Sequence, residues 1–82
     1  MELEKLQRFL RNKHKFDRKR EDYEIVEDLK QKASILGNLI KKNETENLDV
    51  VVGRYILDLI KLSNEYDIDI VKTLKEKLNF GL

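Results

Sequence analysis

Not one proline occurs in this 82-residue chain, and that absence constrains its fold more than any residue it contains. Proline stops or kinks a helix because it lacks a backbone N–H and its ring collides with the preceding turn. With only three glycines as further breakers, the chain is free to run in long helices. Its apolar residues use that freedom, recurring at helical spacing in four segments.

Leu3, Leu6, Phe9 and Leu10 mark the first segment, which dissolves into the charged stretch Arg11 to Arg20. The second is predicted from about Asp22 to Lys42, with Ile25, Val26, Leu29, Ala33, Leu36, Leu39 and Ile40 on one broad face and Asp22 placed to cap it. Asn43-Glu44-Thr45-Glu46 reads as a break and restart, Asn43 capping and Glu46 reaching back in a capping box. The third helix then runs to about Tyr66, and its residues Leu48, Val51, Val52, Tyr55, Ile56, Leu59, Ile60 and Leu62 occupy more than one stripe. Asp67-Ile68-Asp69 makes a tight connection in which either Asp can cap, and Ile70, Val71, Leu74 and Leu78 carry a last helix to Phe80-Gly81.

This pattern predicts an all-α fold, an antiparallel bundle of about four helices, in a single domain spanning residues 1–82. Residues 1–20 form a basic N-terminal helix or arm and residues 21–82 the helical core, with Phe9 counted in the core. A chain of this length buries only roughly 60–65% of its unfolded surface, so a second copy is expected to complete the bundle as a homodimer.

Composition excludes several chemistries. No cysteine means no disulfide framework and no thiolate metal site, and a single histidine, His14, leaves no two-His ligand pair. His14 lies between Lys13 and Lys15 and reads as a solvated surface side chain, so a Ser-His nucleophile has little to draw on. No apolar run approaches the ~20 residues of a membrane span and the first residues are unlike a signal peptide, which gives the expectation of a cytoplasmic protein.

Net charge is only +1, but the charges are not mixed evenly. Between residues 5 and 20 stand Lys5, Arg8, Arg11, Lys13, Lys15, Arg18, Lys19 and Arg20 against the single acid Asp17, while Glu21, Asp22, Glu24, Glu27 and Asp28 follow without a base. Lys13, Lys15, Arg18, Lys19 and Arg20 therefore form a candidate anion or nucleic-acid patch. The competing reading is a solvated face that pairs with the acidic body.

Carboxylates supply the other candidate chemistry. Glu24 with Glu27, and Glu46 with Asp49, are spaced so that each pair points one way from a helix, and two such pairs on facing helices can hold Mg²⁺. In an antiparallel hairpin the two pairs stand roughly 25–30 Å apart at ~1.5 Å per residue, so only a symmetric dimer brings them together. Acids that complement helix dipoles account for the same residues without a metal.

The run Val52-Gly53-Arg54-Tyr55-Ile56-Leu57-Asp58-Leu59-Ile60-Lys61-Leu62-Ser63-Asn64-Glu65-Tyr66-Asp67-Ile68-Asp69-Ile70 resembles the end of the MazG-like, all-α nucleoside triphosphate pyrophosphohydrolases. Lys75-Glu76-Lys77-Leu78 falls in step with that family's last short helix, and Leu29 to Ile40, with Ala33-Ser34 and Leu36, is similar to its first metal-binding helix. The resemblance covers roughly residues 22–79. It implies that Mg²⁺ would be held by Glu-x-x-Glu on one helix and Glu-x-x-Asp on the next. In the register set by the Asp67-Ile68-Asp69 turn those four positions are Lys32, Ile35, Val51 and Arg54, which cannot bind a hard cation. That register implies a fold relative without the activity: either its pocket has collapsed into a salt-bridged core, with Ile35 and Val51 packing and Asp58 pairing with Arg54, or Lys32 and Arg54 bind an anion there directly, collapse being the reading that the aliphatic pair favours. The rival register through Glu24, Glu27, Glu46 and Asp49 restores the acids but breaks the match at the turn.

Three functions follow. The leading one is a non-enzymatic helical interaction protein, of a small regulatory or phage type, that dimerises through its second and third helices, binds a macromolecular partner and needs no cofactor. The second is a Mg²⁺-dependent nucleotide pyrophosphohydrolase using Glu24, Glu27, Glu46 and Asp49. The third is a nucleic-acid-binding module using the basic arm.

Overall fold

Three of the helices are followed by a short polar residue in the left-handed backbone region that Asn and Asp tolerate best after glycine: Asn43 at φ 59°, Asp67 at φ 54° and Asn79 at φ 57°. Between them the structure, a computed structural model describing residues 1–81, is all-helical: α1 (Glu2–Lys13), α2 (Asp22–Lys41), α3 (Leu48–Glu65) and α4 (Ile70–Glu76). No strand occurs among the described residues.

The stop after α2 is a Schellman turn. Glu44 N–H donates to Leu39 O at 2.8 Å and Asn43 N–H to Ile40 O at 3.1 Å, which satisfies carbonyls that the helix end leaves open. Asn43 thus closes α2 and does not cap α3, which begins five residues later at Leu48. The same device ends α3, where Ile68 N–H donates to Ser63 O at 2.8 Å and Asp67 N–H to Asn64 O at 3.3 Å. The two aspartates of the Asp67-Ile68-Asp69 turn therefore divide the work. Asp67 takes the left-handed position, and Asp69 caps α4 by accepting from Lys72 N–H at 3.1 Å. At the start of α2 the cap is Glu21, one residue before the expected Asp22, and its N–H donates to Oε1 of Glu24 at 3.0 Å.

The chain divides into two compact units, one of Met1–Lys19 with the chain from Ile60 onward, the other of Arg20–Leu59. We call them the terminal and internal units. In the terminal unit α1 lies in contact with α4, and the buried residues are Leu10, Ile60, Val71 and Gln7. The buried side of α1 thus runs through positions 3, 7 and 10 and not through Phe9, which is 60% exposed. Gln7 holds the inward position because the α3–α4 turn satisfies its amide. Nε2 donates to Asn64 Oδ1 at 3.0 Å and to Ile68 O at 2.7 Å, and Oε1 accepts from Ile70 N–H at 3.2 Å. Asn64 returns the contact by donating from Nδ2 to Gln7 O at 3.3 Å. The first segment of the chain is by this clasp locked onto the α3–α4 turn, with backbone groups satisfied that an apolar side chain would leave bare.

In the internal unit the buried residues are Ile25 and Asp58. Arg20 precedes α2 and its Nη1 donates to Asp28 Oδ2 and to Asp58 Oδ1, both at 2.9 Å, while Lys32 Nζ lies 4.0 Å from Asp58 Oδ1. The side chains of Arg20 and Asp58 are 9% and 8% exposed. Two charges so far removed from water persist because each neutralises the other through a charge-assisted hydrogen bond. No described helix is long and apolar enough to cross a membrane.

Candidate functional site

The acid pairs do not assemble. Glu24 is used in the first turn of α2, holding the Glu21 N–H. Glu46 precedes α3, so it is not on one helical face with Asp49, whose Oδ1 instead accepts from Val50 N–H at 2.8 Å. Glu27 is exposed. Among the described residues no group of three or more acids or histidines stands together in a way that holds a metal.

The four positions of the turn register differ in burial. Lys32 is half-buried beside Asp58, but Ile35 is 45% exposed, Val51 is half-buried and Arg54 is exposed. The expected Arg54–Asp58 pair is replaced by Arg20–Asp58, formed by a residue from the far end of the charged stretch. Asp58 is ion-paired, with a partner other than the expected one, and Ile35 lacks the burial expected of a core residue.

The basic segment gains the most from the structure. Arg20 turns inward into the ion-pair cluster and leaves the patch. Lys13 is exposed on the last turn of α1, where it complements the helix dipole. Lys15, Arg18 and Lys19 do converge, on a cleft of about 240 Å³ in the terminal unit. Leu10, Arg11 and His14 from the first helix and its end line it too, as do Lys61, Asn64 and Glu65 from α3. His14 is not a free surface side chain: Nδ1 is 2.6 Å from Asp17 Oδ2, which pins the turn after α1, and Asp17 N–H donates to His14 O at 3.0 Å. Five cations, Arg11, Lys15, Arg18, Lys19 and Lys61, face two acids, Asp17 and Glu65.

Two of the lining lysines sit over aromatic rings. Lys15 Nζ lies 5.4 Å from the centroid of Phe16, and Lys19 Nζ lies 5.5 Å from that of Tyr66. The other recesses lack such a sign of charge. A recess of about 510 Å³ beside α1 and α4 sets Arg8, Arg11, Lys72 and Lys75 against Glu4, Asp67, Asp69 and Glu76, and one at the α2–α3 loop carries Glu44 and Glu46 without a base.

Lys61, Asn64 and Arg11 escaped the reading of the sequence. Lys61 and Asn64 are three apart on α3, and Asn64 is fixed by the Gln7 clasp, but their facing the basic turn depends on a contact between distant parts of the chain. A scan against protein-family models and searches of curated proteins and of solved structures find no match to this chain.

Proposed function

We propose that the chain is a non-enzymatic helical interaction protein of MazG-like build, whose α2 and α3 form an antiparallel hairpin that pairs with a second copy, and which acts by binding another macromolecule. The observation that carries this reading is the apolar surface of the internal unit. Val26, Leu29, Ala33, Leu36 and Ile40 follow one another on α2 at alternating steps of three and four, and Leu48, Val52, Tyr55 and Leu59 do so on α3. That spacing is the seam of a coiled coil or a four-helix bundle.

Within its own unit the seam is only half used. Val26 is 46% exposed, Ile40 58%, Val52 39% and Leu59 42%, and among the described residues of that unit Ile25 is the buried apolar one. A hairpin with so small a core gains about 25 cal/mol for each Å² of apolar surface removed from water, and a second hairpin of the same seam offers that surface in matching steps. The antiparallel arrangement is supported by the ion pairs, since Asp58 on α3 meets Lys32 and the partner of Asp28 about as far from the connecting loop on one side as on the other.

Sedimentation velocity tests the reading. A dimer is expected, converted to a monomer by Val52→Asp with Leu59→Asp and left intact by Val50→Asp with Leu57→Asp, which lie on the opposite side of α3. A wild-type protein that stays monomeric at every concentration overturns the pairing. Incubation with nucleoside triphosphates and Mg²⁺ is expected to release no pyrophosphate, and release that Glu46→Gln abolishes would assign the protein a metal-dependent activity instead.

A further inference from the structure

The geometry points to the basic cleft of the terminal unit as a binding site for single-stranded nucleic acid, its phosphates held by Lys15, Arg18, Lys19 and Lys61 and a base stacked on Phe16. This names the macromolecular partner of the proposed interaction protein and rests on that reading, but it uses none of the residues of the pairing seam.

Three observations combine. First, the cleft is cationic in a chain of net charge +1, with five basic side chains against two acids, whereas the neighbouring recess by α1 and α4 is balanced. Clustered cations bind polyphosphate backbones by displacing their counterions, so the local excess matters more than the global charge. Second, at about 240 Å³ the cleft lies below the roughly 300–1,000 Å³ of pockets that enclose a small molecule. It has room for a stretch of sugar and phosphate passing through.

The third observation is the placement of the rings. Phe16 is 92% exposed, a large apolar ring held in water beside the cleft by the turn that Asp17 and His14 pin. Tyr66, 49% exposed, has Lys19, another cation of the cleft, over its face. Cations in a groove with aromatic faces at its edges are the arrangement on which an unpaired strand binds, phosphates to the cations and bases to the rings. A duplex hides its base faces and gains nothing from Phe16. A flat anionic membrane meets Asp17 and Glu65 along with the cations, inside a concave surface that it cannot follow.

Fluorescence anisotropy with labelled twelve-nucleotide oligo-dT and oligo-U, across a salt series, tests the site. Binding is expected with a slope of log K against log salt of about −2 to −3.5, the single-strand value for three to five phosphates neutralised. Arg18→Ala with Lys19→Ala is expected to weaken binding at least tenfold at low salt and to flatten the slope by about 1.4. Phe16→Ala is expected to weaken it roughly tenfold with the slope unchanged, because stacking releases no ions. Residues 16, 18 and 19 lie outside the helices, so circular dichroism of these variants should match wild type.

No binding at low salt overturns the proposal, as does binding that ignores Arg18 and Lys19. Equal affinity for a duplex, or no loss from Phe16→Ala, overturns the single-strand assignment, and co-sedimentation with phosphatidylglycerol vesicles in preference to the oligonucleotides replaces it with a membrane surface. The monomeric Val52→Asp, Leu59→Asp variant separates the two proposals: binding by a monomer leaves the cleft standing without the pairing, and a dimer that binds no oligonucleotide does the reverse.

Discussion

In the terminal unit the buried polar residue is Gln7, a neutral amide whose two donors and one acceptor all meet partners in the α3–α4 turn. In the internal unit it is Asp58, a carboxylate with Oδ1 shared by Arg20 and Lys32 and with Oδ2 buried and unpartnered. The amide matches the peptide groups it faces in charge and geometry, so it is desolvated at small cost and fixes one conformation of the turn. The carboxylate requires a cation brought in with it, and holds a helix pair whose apolar residues are largely exposed. A small chain thus specifies structure by polar groups in both halves, but only the amide leaves nothing unsatisfied.

The largest expected effect follows from removing the charge. Asp58→Ala takes from the buried Arg20 its buried counter-charge, and should cost about 3 kcal/mol in denaturant titrations. Asp58→Asn keeps the shape and one acceptor, and is expected to cost clearly less. If the two variants are equally damaging, charge is what the internal unit needs. Next in size is Gln7→Ala, which strands Ile68 O and Ile70 N–H and should cost about 2 kcal/mol. Gln7→Glu, lacking the donors, should cost nearly as much, and a harmless Gln7→Glu would show that bulk rather than hydrogen bonding fills the site.

Asp69→Ala removes the cap of α4 and is expected to lower stability by about 1 kcal/mol, read as a shift in the midpoint of chemical unfolding. The smallest change has the opposite sign. Gly37 and Gly53 lie inside α2 and α3 with nothing within 4 Å of where a Cβ would stand, so either glycine changed to alanine should stabilise the chain by about 0.5–1 kcal/mol. If the proposed dimer forms and Gly53→Ala disrupts it, that position is instead one where a second copy approaches closely.

Element type and order were legible because they rest on local physics. Apolar spacing over α2 and α3 located both helices, and the α2 end fell within a residue of Lys42. The terminators were misassigned where one residue has two uses. Asn43 serves as well for an N-cap as for a left-handed stop, and the choice lies in where the next helix begins, at Leu48. The α1 register failed for a related reason: Phe9 is the more hydrophobic candidate, but only Gln7 answers the bare peptide groups of a turn some sixty residues later. Within the basic segment, Lys15, Arg18 and Lys19 were legible as a patch, while the departure of Arg20 to Asp58 was not. Nothing in a run of lysines and arginines says which one will find a buried acid.

By itself the sequence determined that the chain is helical, where its helices lie and that its charge is divided, since no proline, few glycines and a three-to-four apolar repeat act over a few residues at a time. Only the tertiary structure decided that Gln7 goes inside while Phe9 stays out, that Arg20 is structural while Lys15, Arg18 and Lys19 line a cleft, and that Lys61 and Asn64 complete it. Those outcomes depend on which distant backbone groups and charges are left without partners once the helices have formed, and that is a property of the assembled chain.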